Sequence, residues 1–422
     1  MSTRLFIFNP TNEIAIADGG NGYVPNRQLA EFERDLDTLP FVFANADDIV
    51  LVQNEPDAAW LNVMSPIAHL LPQFLCREEI IQKLKSKEIT IAAFHPWGWS
   101  PRMVRIVTDF MIGNQKALFN NVNSNWSPNH QKTYGRETAL HVLREVIEHC
   151  ENPDLFINKD QFPQRIVQLS EVDTLLFQTS RIVFKSPYSA SGRGVLMLNR
   201  ATINESNRLW IQSQIKKSGY VMVESFLEIV HECSLHFKMD ATQCKPVAFS
   251  FFDVTEKGSY GGSYVNSAPV RQEVMDFLDQ VNIPSLARNV GNALFSQGLS
   301  TVYNGYLGVD MIISRNPEGD LYFQPCVEIN MRYNMGTVAH FLSKILDDDV
   351  FGFFKIVSNQ YSNTPSVEAQ MVQNPPIWKN CRLRKGVLPL TPHLNRSHVA
   401  IVEVFESDTL IPRINFNTVL RG

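Results

Sequence analysis

Oxygen-bearing side chains lie on two segments of the sequence that have the alternating pattern of strands. In residues 307–313 the odd-numbered positions are apolar, and Asp310 lies on the opposite face. In residues 324–330 Glu328 and Asn330 share one face, because side chains of a strand alternate with period two. Two carboxylates and an amide are hard oxygen ligands, which magnesium prefers together with phosphates and waters. The pattern predicts a magnesium site; the alternative is the ordinary polar face of a half-exposed sheet.

A lysine at the end of an apolar segment precedes a loop of small residues. Lys185 ends the segment 181–185, and the loop that follows contains Ser191, Gly192 and Gly194. Backbone N–H groups of such a loop can approach phosphate oxygens, because no bulky side chain intervenes. The lysine adds a point charge for the same phosphates. These residues indicate a phosphate site; the alternative is a hairpin turn whose lysine is simply solvated.

An acidic residue ends another apolar segment, residues 220–224, and a short connection follows it. Glu224 is succeeded along the chain by Ser225, Phe226 and Leu227. Such a connection can offer backbone groups to the edge of an adenine, while apolar side chains enclose the ring. The alternative is a strand that leaves the core.

Arg332 follows Asn330 by two residues and is a candidate for binding an anion. Its planar guanidinium can donate two parallel hydrogen bonds to a phosphate or to a substrate carboxylate. The alternative is a surface arginine at the end of a strand.

A set of strands must position these residues. The apolar pattern predicts strands at 181–185, 220–224, 233–239, 247–254, 307–313 and 322–330, with a helix at 285–295. The first 110 residues or so alternate apolar runs with helical stretches. Strands are expected there at 5–8, 48–52 and 89–94, and helices at 26–37 and 77–86. This alternation predicts a small α/β unit with a parallel sheet.

Two loops of this N-terminal region, residues 9–13 and 95–102, directly follow predicted strands. In open α/β sheets, ligands bind beyond the carboxyl ends of the strands. His95, Trp97 and Arg102 are therefore candidates for an acceptor pocket, together with Trp99. Aromatic packing is the alternative.

The order of these features resembles the ATP-grasp superfamily over about residues 163–340. The sequence Glu-Ile-Asn-Met-Arg at 328–332 is similar to the family's terminal Glu-x-Asn-x-Arg, and Asp310 matches its upstream metal-binding acid. The resemblance further implies phosphate binding by Lys185, adenine contacts by Glu224 and the backbone of Phe226 and Leu227, and a ribose contact by Glu232. The family's earlier phosphate-binding lysine has no clear match, and Lys132 and Lys159 are its candidates.

The resemblance implies a fold of mixed α/β and α+β class. A Rossmann-like pre-ATP-grasp domain is expected at 1–120, followed by a two-subdomain ATP-grasp fold. The subdomain with the glycine-rich loop would cover 121–225, and the subdomain with the metal site 226–345. Residues 346–422 would form a C-terminal extension, for which the sequence pattern itself predicts a helical start and a late strand at 398–405.

The resemblance also implies an activity and two cofactors, ATP and Mg²⁺. The expected reaction joins a small-molecule carboxylate, such as an amino acid or peptide, to an amine or thiol through an acylphosphate. Lys185 and Arg332 would be catalytic, with Arg332 holding the acylphosphate or the incoming carboxylate. Two alternatives remain: a small-molecule kinase with the same fold, and a non-catalytic nucleotide-binding module.

Composition limits the partners that we expect. The chain has 422 residues, 44% of them hydrophobic, and a net charge of −5. This charge gives no electrostatic reason to expect nucleic acid or an anionic membrane. The six cysteines are scattered, no apolar run is long enough to span a bilayer, and the N-terminus lacks a signal peptide pattern. These features predict a cytoplasmic protein, which could form a homo-oligomer.

Overall fold

The computed structural model describes residues 3–112, 123, 125–178, 181–189, 194–199, 201–255, 258–359, 365–406 and 413–420. The chain folds into two compact units. Unit 1 comprises Met1–Trp126, Gly261–Arg271 and Arg332–Val419, and unit 2 comprises Ser127–Tyr260, Gln272–Met331 and Leu420–Gly422. The four-part division expected from the sequence stays a prediction.

The strands lie as follows in chain order. They are β1 (Thr3–Ile7), β2 (Ile49–Leu51), β3 (Gln73–Leu75), β4 (Ile91–Pro96), β5 (Gln164–Ile166), β6 (Arg181–Lys185), β7 (Val195–Asn199), β8 (Val221–Ser225), β9 (Glu228–Met239), β10 (Cys244–Val254), β11 (Tyr260–Val265), β12 (Ser267–Pro269), β13 (Gly305–Arg315), β14 (Leu321–Asn330), β15 (Val350–Ser358), β16 (Ile377–Lys379), β17 (Arg382–Pro389), β18 (His398–Glu406) and β19 (Arg413–Asn415).

The α-helices lie as follows in chain order. They are α1 (Asn12–Asp18), α2 (Arg27–Asp35), α3 (Ala58–Val63), α4 (Arg77–Lys85), α5 (Pro101–Thr108), α6 (Pro128–Thr133), α7 (Arg136–Glu148), α8 (Ser170–Gln178), α9 (Glu205–Ser218), α10 (Gln272–Val281), α11 (Ile283–Ser296), α12 (Met335–Leu342), α13 (Val367–Gln373) and α14 (Phe416–Val419). Among the described residues, no helix combines the length and the apolar character that crossing a membrane requires.

Unit 1 contains the parallel sheet that the N-terminal sequence predicts. Its strand order is β3-β2-β1-β4, and the pairs β1–β2, β1–β4 and β2–β3 are all parallel. Leu5, Ile49 and Ile91 are completely buried in it. Apolar residues on both faces of these short strands are expected, because the helices of a parallel sheet cover both faces.

The C-terminal residues of unit 1 form antiparallel strands. Strand β15 pairs with β11 and with β18, and β18 pairs with β17. The expected helix at the start of 346–422 is wrong, because Val350–Ser358 is a strand. Phenylalanine, valine and isoleucine dominate that segment, and such residues fit a pleated, half-buried surface better than a helix.

Unit 2 contains two antiparallel sheets. One has the order β14-β13-β9-β10, and the other has the order β5-β8-β6-β7. Helix α11 packs on β10 and on α7, and α7 packs on β14. The smaller sheet buries Phe184 and Val221 against α8 and α9 through Val172 and Ile211. These two sheets carry six of the residues predicted to do chemistry, on β6, β8, β9, β13 and β14: Lys185, Glu224, Glu232, Asp310, Glu328 and Asn330.

Candidate nucleotide and metal site

Two of the predicted metal ligands lie directly opposite each other on neighbouring strands. Strands β13 and β14 are antiparallel, and their register pairs Asp310 with Glu328. Residues that face each other in this way have Cβ atoms about 5 Å apart and on the same side of the sheet. The register shifts by two residues between Asp310 and Ile312, because Ile312 pairs with Gln324 and not with Cys326. Such a bulge bends the strand and re-aims side chains, and bulges are common beside active sites.

Asp310 is held by hydrogen bonds from both of its neighbouring strands. The Ser234 hydroxyl on β9 donates to Asp310 Oδ1 at 2.6 Å, and Asn330 Nδ2 on β14 donates to Asp310 Oδ2 at 2.9 Å. Asn330 and Ser234 are buried. The structure therefore brings together the three residues that the sequence suggested as ligands and adds Ser234, which the sequence reasoning missed.

Arg136, in the first turn of α7, connects the carboxylates with the loop after β6. Its Nη2 lies 3.1 Å from Glu328 Oε1, and the Arg136 side chain is 8% exposed. The same side chain donates to the Ser186 carbonyl at 3.0 Å and to Ser189 Oγ at 3.2 Å. A cation at a helix N-terminus is disfavoured by the helix dipole. Its position is therefore explained by these contacts and not by the helix.

Lys185 and Glu224 form a second cation–carboxylate pair. Lys185 Nζ lies 2.5 Å from Glu224 Oε2, and both side chains are largely buried. Strands β6 and β8 are antiparallel, and Val183 is the residue opposite Glu224. Lys185 is two residues beyond Val183, so it lies on the same face as Glu224. The phosphate candidate and the adenine candidate of the sequence therefore touch in this structure.

Glu232 joins these two groups electrostatically. The pKa of its carboxyl is raised to about 7, mainly by burial and also by the charge of Asp310, while the charge of Lys185 acts in the opposite direction. Strand β13 pairs Asp310 with Ser234 and Ile312 with Glu232, so Glu232 and Asp310 share a face. The carboxylates of β9 and β13 and the lysine of β6 therefore belong to one charged region of unit 2.

The connection between β8 and β9 is two residues long, Phe226 and Leu227. The guanidinium carbon of Arg181 lies 3.4 Å from the centre of the Phe226 ring, which is a close cation–π contact. Phe226 and Leu227 are half-buried. The connection is short and apolar and follows Glu224 closely in the chain, and its contact with an adenine stays a prediction.

The loop between β6 and β7 is described at both of its ends. Ser191 and Gly192 lie outside the described residues. Gly194 has a positive φ of 77°, and a Cβ added to it would lie 2.9 Å from the Ser186 Cβ. The Ser186 N–H donates to the Gly194 carbonyl at 2.8 Å. Glycine is required at 194 because the backbone is left-handed and the opposite side of the loop is close.

The cation that contacts a predicted metal ligand is an arginine, whereas the family resemblance led us to expect a second phosphate-binding lysine. Lys132 on α6 and Lys159 are both exposed. Arg136 lies four residues after Lys132 and is buried against Glu328. The sequence did contain a signal for Arg136: a cation in the first turn of a helix is unfavourable, which suggests that its side chain has another partner.

Arg332 belongs to unit 1, whereas the carboxylates and Lys185 belong to unit 2. Its guanidinium forms an ion pair with Glu13. Arg102, a candidate for the acceptor pocket, forms a double hydrogen bond with Glu33 at 3.0 Å for each contact. Trp97 is buried and packs on Phe8, in agreement with the alternative of aromatic packing.

The donor set fits a magnesium ion chemically. Asp310, Glu328 and Asn330 offer two carboxylates and a carboxamide, which are oxygen ligands that Mg²⁺ accepts beside phosphates and waters. Arg136 now neutralises one of these carboxylates. In the part of the chain that the structure describes, no group of three or more His, Cys, Asp and Glu side chains is placed to hold a metal. Ligands from a nucleotide would therefore have to complete the coordination.

Comparison with known proteins gives structural matches only. No protein-family model matches the chain, and no curated protein matches its sequence. The biotin carboxylase–β,γ-ATP complex from Campylobacter jejuni matches 100% of this chain and 95% of its own, with 12% identity and a TM-score of 0.52. Pyruvate carboxylase from Rhizobium etli matches 96% of this chain and 36% of its own, with 10% identity and a TM-score of 0.52.

A third solved structure covers the chain at a lower score. N5-carboxyaminoimidazole synthetase from Staphylococcus aureus matches 96% of this chain and 95% of its own, with 12% identity and a TM-score of 0.46. At these identities the likeness is one of fold.

Proposed function

We propose that this chain, which has the ATP-grasp fold, is an ATP- and magnesium-dependent ligase that joins a carboxylate to an amine. The observation that carries the proposal is the placement of Asp310 opposite Glu328 in register, with Asn330 bonded to Asp310 and Arg136 bonded to Glu328. The Campylobacter jejuni structure is a complex with an ATP species, which supports an adenine nucleotide as the ligand of this fold.

In this proposal, one set of unit 2 residues binds the metal and another set binds the phosphates. Asp310, Glu328 and Asn330 would hold the magnesium. When bound, the ion neutralises the charge that develops on the phosphate oxygens during transfer. Lys185 and Arg136 supply further positive charge, and each now neutralises a carboxylate in place of a phosphate. Ser234 keeps the Asp310 carboxylate oriented.

The proposed reaction has two steps. A carboxylate oxygen of the substrate attacks the γ-phosphorus of ATP, the bond to the β-phosphate oxygen breaks, and ADP leaves with that electron pair. The nitrogen of a free amine then attacks the carbonyl carbon of the acylphosphate. The bond between that carbon and the phosphate oxygen breaks, and the phosphate leaves with that electron pair and with the proton that the nitrogen loses. The protein contributes positioning and charge neutralisation, which carry most of the catalysis in phosphoryl transfer.

Three roles expected from the sequence enter this mechanism as proposals. Glu224 and the backbone of Phe226 and Leu227 would contact the adenine, and Glu232 would contact the ribose. Arg332, which pairs with Glu13 in unit 1, would hold the acylphosphate or the incoming carboxylate.

A screen for ADP release tests the proposal. The full chain is incubated with ATP, magnesium and pairs of amino acids or peptides, and ADP and inorganic phosphate are both measured. We expect ADP and phosphate in equal amounts, only when a carboxylate and an amine are both present. Asp310→Ala and Glu328→Ala should abolish this turnover, because each removes a magnesium ligand.

The products separate this function from its rivals. A kinase would release ADP and a phosphorylated substrate without inorganic phosphate. A non-catalytic binding module would bind ATP with magnesium and would not turn it over with any pair. Either result would contradict the proposed ligase.

A further inference from the structure

Several described residues of unit 1 bury polar atoms that have no hydrogen-bond partner, and three of them are Asn12, Glu13 and Asn334. Asn12 is 2% exposed, and neither its Nδ2 nor its Oδ1 is paired. Glu13 Oε2 is also buried and unpaired, and so is Nδ2 of Asn334, which is 7% exposed. Leaving a buried donor or acceptor unsatisfied is costly, and such groups in a folded protein need an explanation. A polar ligand that supplies the missing partners is one.

The backbone holds Asn12 at the carboxyl edge of the parallel sheet. Strands β1 and β4 are neighbours. The Asn9 side chain, in the loop after β1, forms hydrogen bonds with the loop after β4. Asn9 Nδ2 donates to the Gly98 carbonyl at 2.6 Å, and the Gly98 N–H donates to Asn9 Oδ1 at 3.2 Å. A Cβ added to Gly98 would lie 2.4 Å from the Asn12 Cγ. The glycine therefore allows the Asn12 amide to lie in this position.

The segment 332–334 meets the same loops. The Tyr333 N–H donates to the Trp97 carbonyl at 2.8 Å, and the Tyr333 hydroxyl lies 3.2 Å from His95 Nδ1. Arg332, one residue earlier, forms the ion pair with Glu13. Asn334 Oδ1, one residue later, accepts from the Thr337 N–H and caps α12. These contacts bring one cation, one carboxylate and two amides to one edge of the sheet.

We propose that this edge of unit 1 binds an α-amino acid in its zwitterionic form. Asn12 Nδ2 and Asn334 Nδ2 donate to the ligand's carboxylate, and Arg332 supplies the opposite charge. Asn12 Oδ1 and Glu13 Oε2 accept from its ammonium group. Charge-assisted hydrogen bonds of this kind are stronger than neutral ones.

The mixed charges favour a zwitterion over a simple anion or cation. Glu13 would repel a lone anion, and Arg332 would repel a lone cation. The nearby Arg102 is already paired with Glu33. A neutral ligand that carries both charges satisfies both partners, and the two amide groups of Asn12 and Asn334 match its donors and acceptors. The assignment rests on the proposed ligase function only for the ligand's role as a substrate, because binding needs no nucleotide.

Calorimetric titration of the full chain without nucleotide tests the proposal. Each of the standard L-amino acids is titrated, and the tightest binder is compared with its analogues that lack the amino group or the carboxyl group. We expect at least one amino acid to bind, and either analogue to bind about tenfold more weakly or worse. Absence of binding by the whole panel, or equal binding of either analogue, would overturn the proposal.

Two variants keep the protein folded and remove single contacts. Asn12→Leu keeps the shape of the side chain without its polar atoms, and Asn334→Asp keeps the oxygen that caps α12 but loses the N–H donor. Each should weaken binding about tenfold or more while the melting temperature is retained. Asn62→Leu, at an exposed position of α3, is the matched control and should bind normally. Unchanged affinity in both site variants would show that water fills the site.

A variant of unit 2 separates this proposal from the ligase proposal. Asp310→Asn should abolish ATP turnover and leave amino-acid binding unchanged, because Asp310 belongs to the other unit. If the unmodified chain binds an amino acid but never turns over ATP, the amino-acid site is supported and the proposed ligase function is refuted. Ligase turnover with substrates that are not amino acids, without amino-acid binding, would do the reverse.

Discussion

At the scale of single residues, Arg136 is the group that links the glycine-rich loop to the candidate metal ligands. It contacts the Ser186 carbonyl, the Ser189 hydroxyl and the Glu328 carboxylate at once. A buried guanidinium can make these contacts together because its donors form a rigid planar fork. We propose that a phosphate of the bound nucleotide takes the place of Glu328 beside Arg136 when Glu328 holds the metal.

Replacing Arg136 should therefore weaken nucleotide binding. We expect Arg136→Ala to raise the KM for MgATP about tenfold or more, because a charge-assisted contact to phosphate is lost. Arg136→Lys should recover part of the loss, since lysine keeps the charge without the fork. The measurement is ADP release as a function of MgATP concentration.

Arg144 provides the control for this prediction. It lies on the same helix, α7, and is exposed. Arg144→Ala changes the net charge by the same amount and should leave the KM unchanged. Equal KM values for Arg136→Ala and the unmodified chain would contradict a phosphate role for Arg136.

At the scale of elements, the β6–loop–β7 hairpin depends on a left-handed glycine. Gly194 combines a φ of +77° with close contacts to Ser186 and Ser189, whereas Gly219 has a φ of +82° and no atom within 4 Å of an added Cβ. An alanine at Gly219 would therefore introduce backbone strain alone, whereas an alanine at Gly194 would add a steric conflict inside the loop.

Gly194→Ala should cost more than Gly219→Ala. Each alanine in the left-handed region is expected to lower the free energy of unfolding by about 1 kcal/mol. Gly194→Ala must also move Ser186 or Ser189, and we expect MgATP affinity to fall about tenfold. Affinities come from titration calorimetry, and stabilities come from urea unfolding. Equal nucleotide affinity of the two variants would show that the loop does not bind phosphate.

The strands were predictable to a large extent, and the contacts between them were not. The sequence places β6 at 181–185, as the structure has it, because an apolar run with a polar end is a local signal. It also places Asp310 and Glu328 on strand faces correctly. The register that sets them opposite each other, and the pairing of Lys185 with Glu224, depend on tertiary contacts that a single sequence does not encode locally.

At the scale of the whole molecule, the predicted fold class is confirmed. Unit 1 has a parallel sheet with flanking helices, unit 2 has antiparallel sheets with helices, and the solved structures with TM-scores of 0.52 share the fold. The error at β15 has a physical cause. A helix was expected at the start of residues 346–422, but the β-branched and aromatic residues of Val350–Ser358 favour a strand.

Stability should depend on pH through Asp37 of unit 1. Burial raises the pKa of its carboxyl from 3.8 to about 7, although the Gln53 N–H donates to it. Below pH 3.8 both the folded and the unfolded state hold the proton. As the pH rises towards 7, the unfolded state releases the proton first, so the free energy of unfolding falls.

Asp37→Asn should remove this fall and keep the hydrogen bond from Gln53. We expect the variant to be more stable than the unmodified chain at pH 8 by on the order of 2 kcal/mol, with a smaller difference at pH 5. Urea unfolding at the two pH values measures it, and Asp47→Asn, at an exposed position, is the control. An identical pH dependence in Asp37→Asn and the unmodified chain would contradict the assignment.

The central claim is that Asp310 and Glu328 of unit 2 hold the magnesium of a bound adenine nucleotide. Calorimetric titration of the full chain with ADP, with and without magnesium, tests it most directly. We predict that magnesium strengthens ADP binding, that Asp310→Asn loses this gain, and that Asp279→Asn, at an exposed position of α10, keeps it. The same magnesium-dependent affinity in Asp310→Asn as in the unmodified chain would contradict the claim.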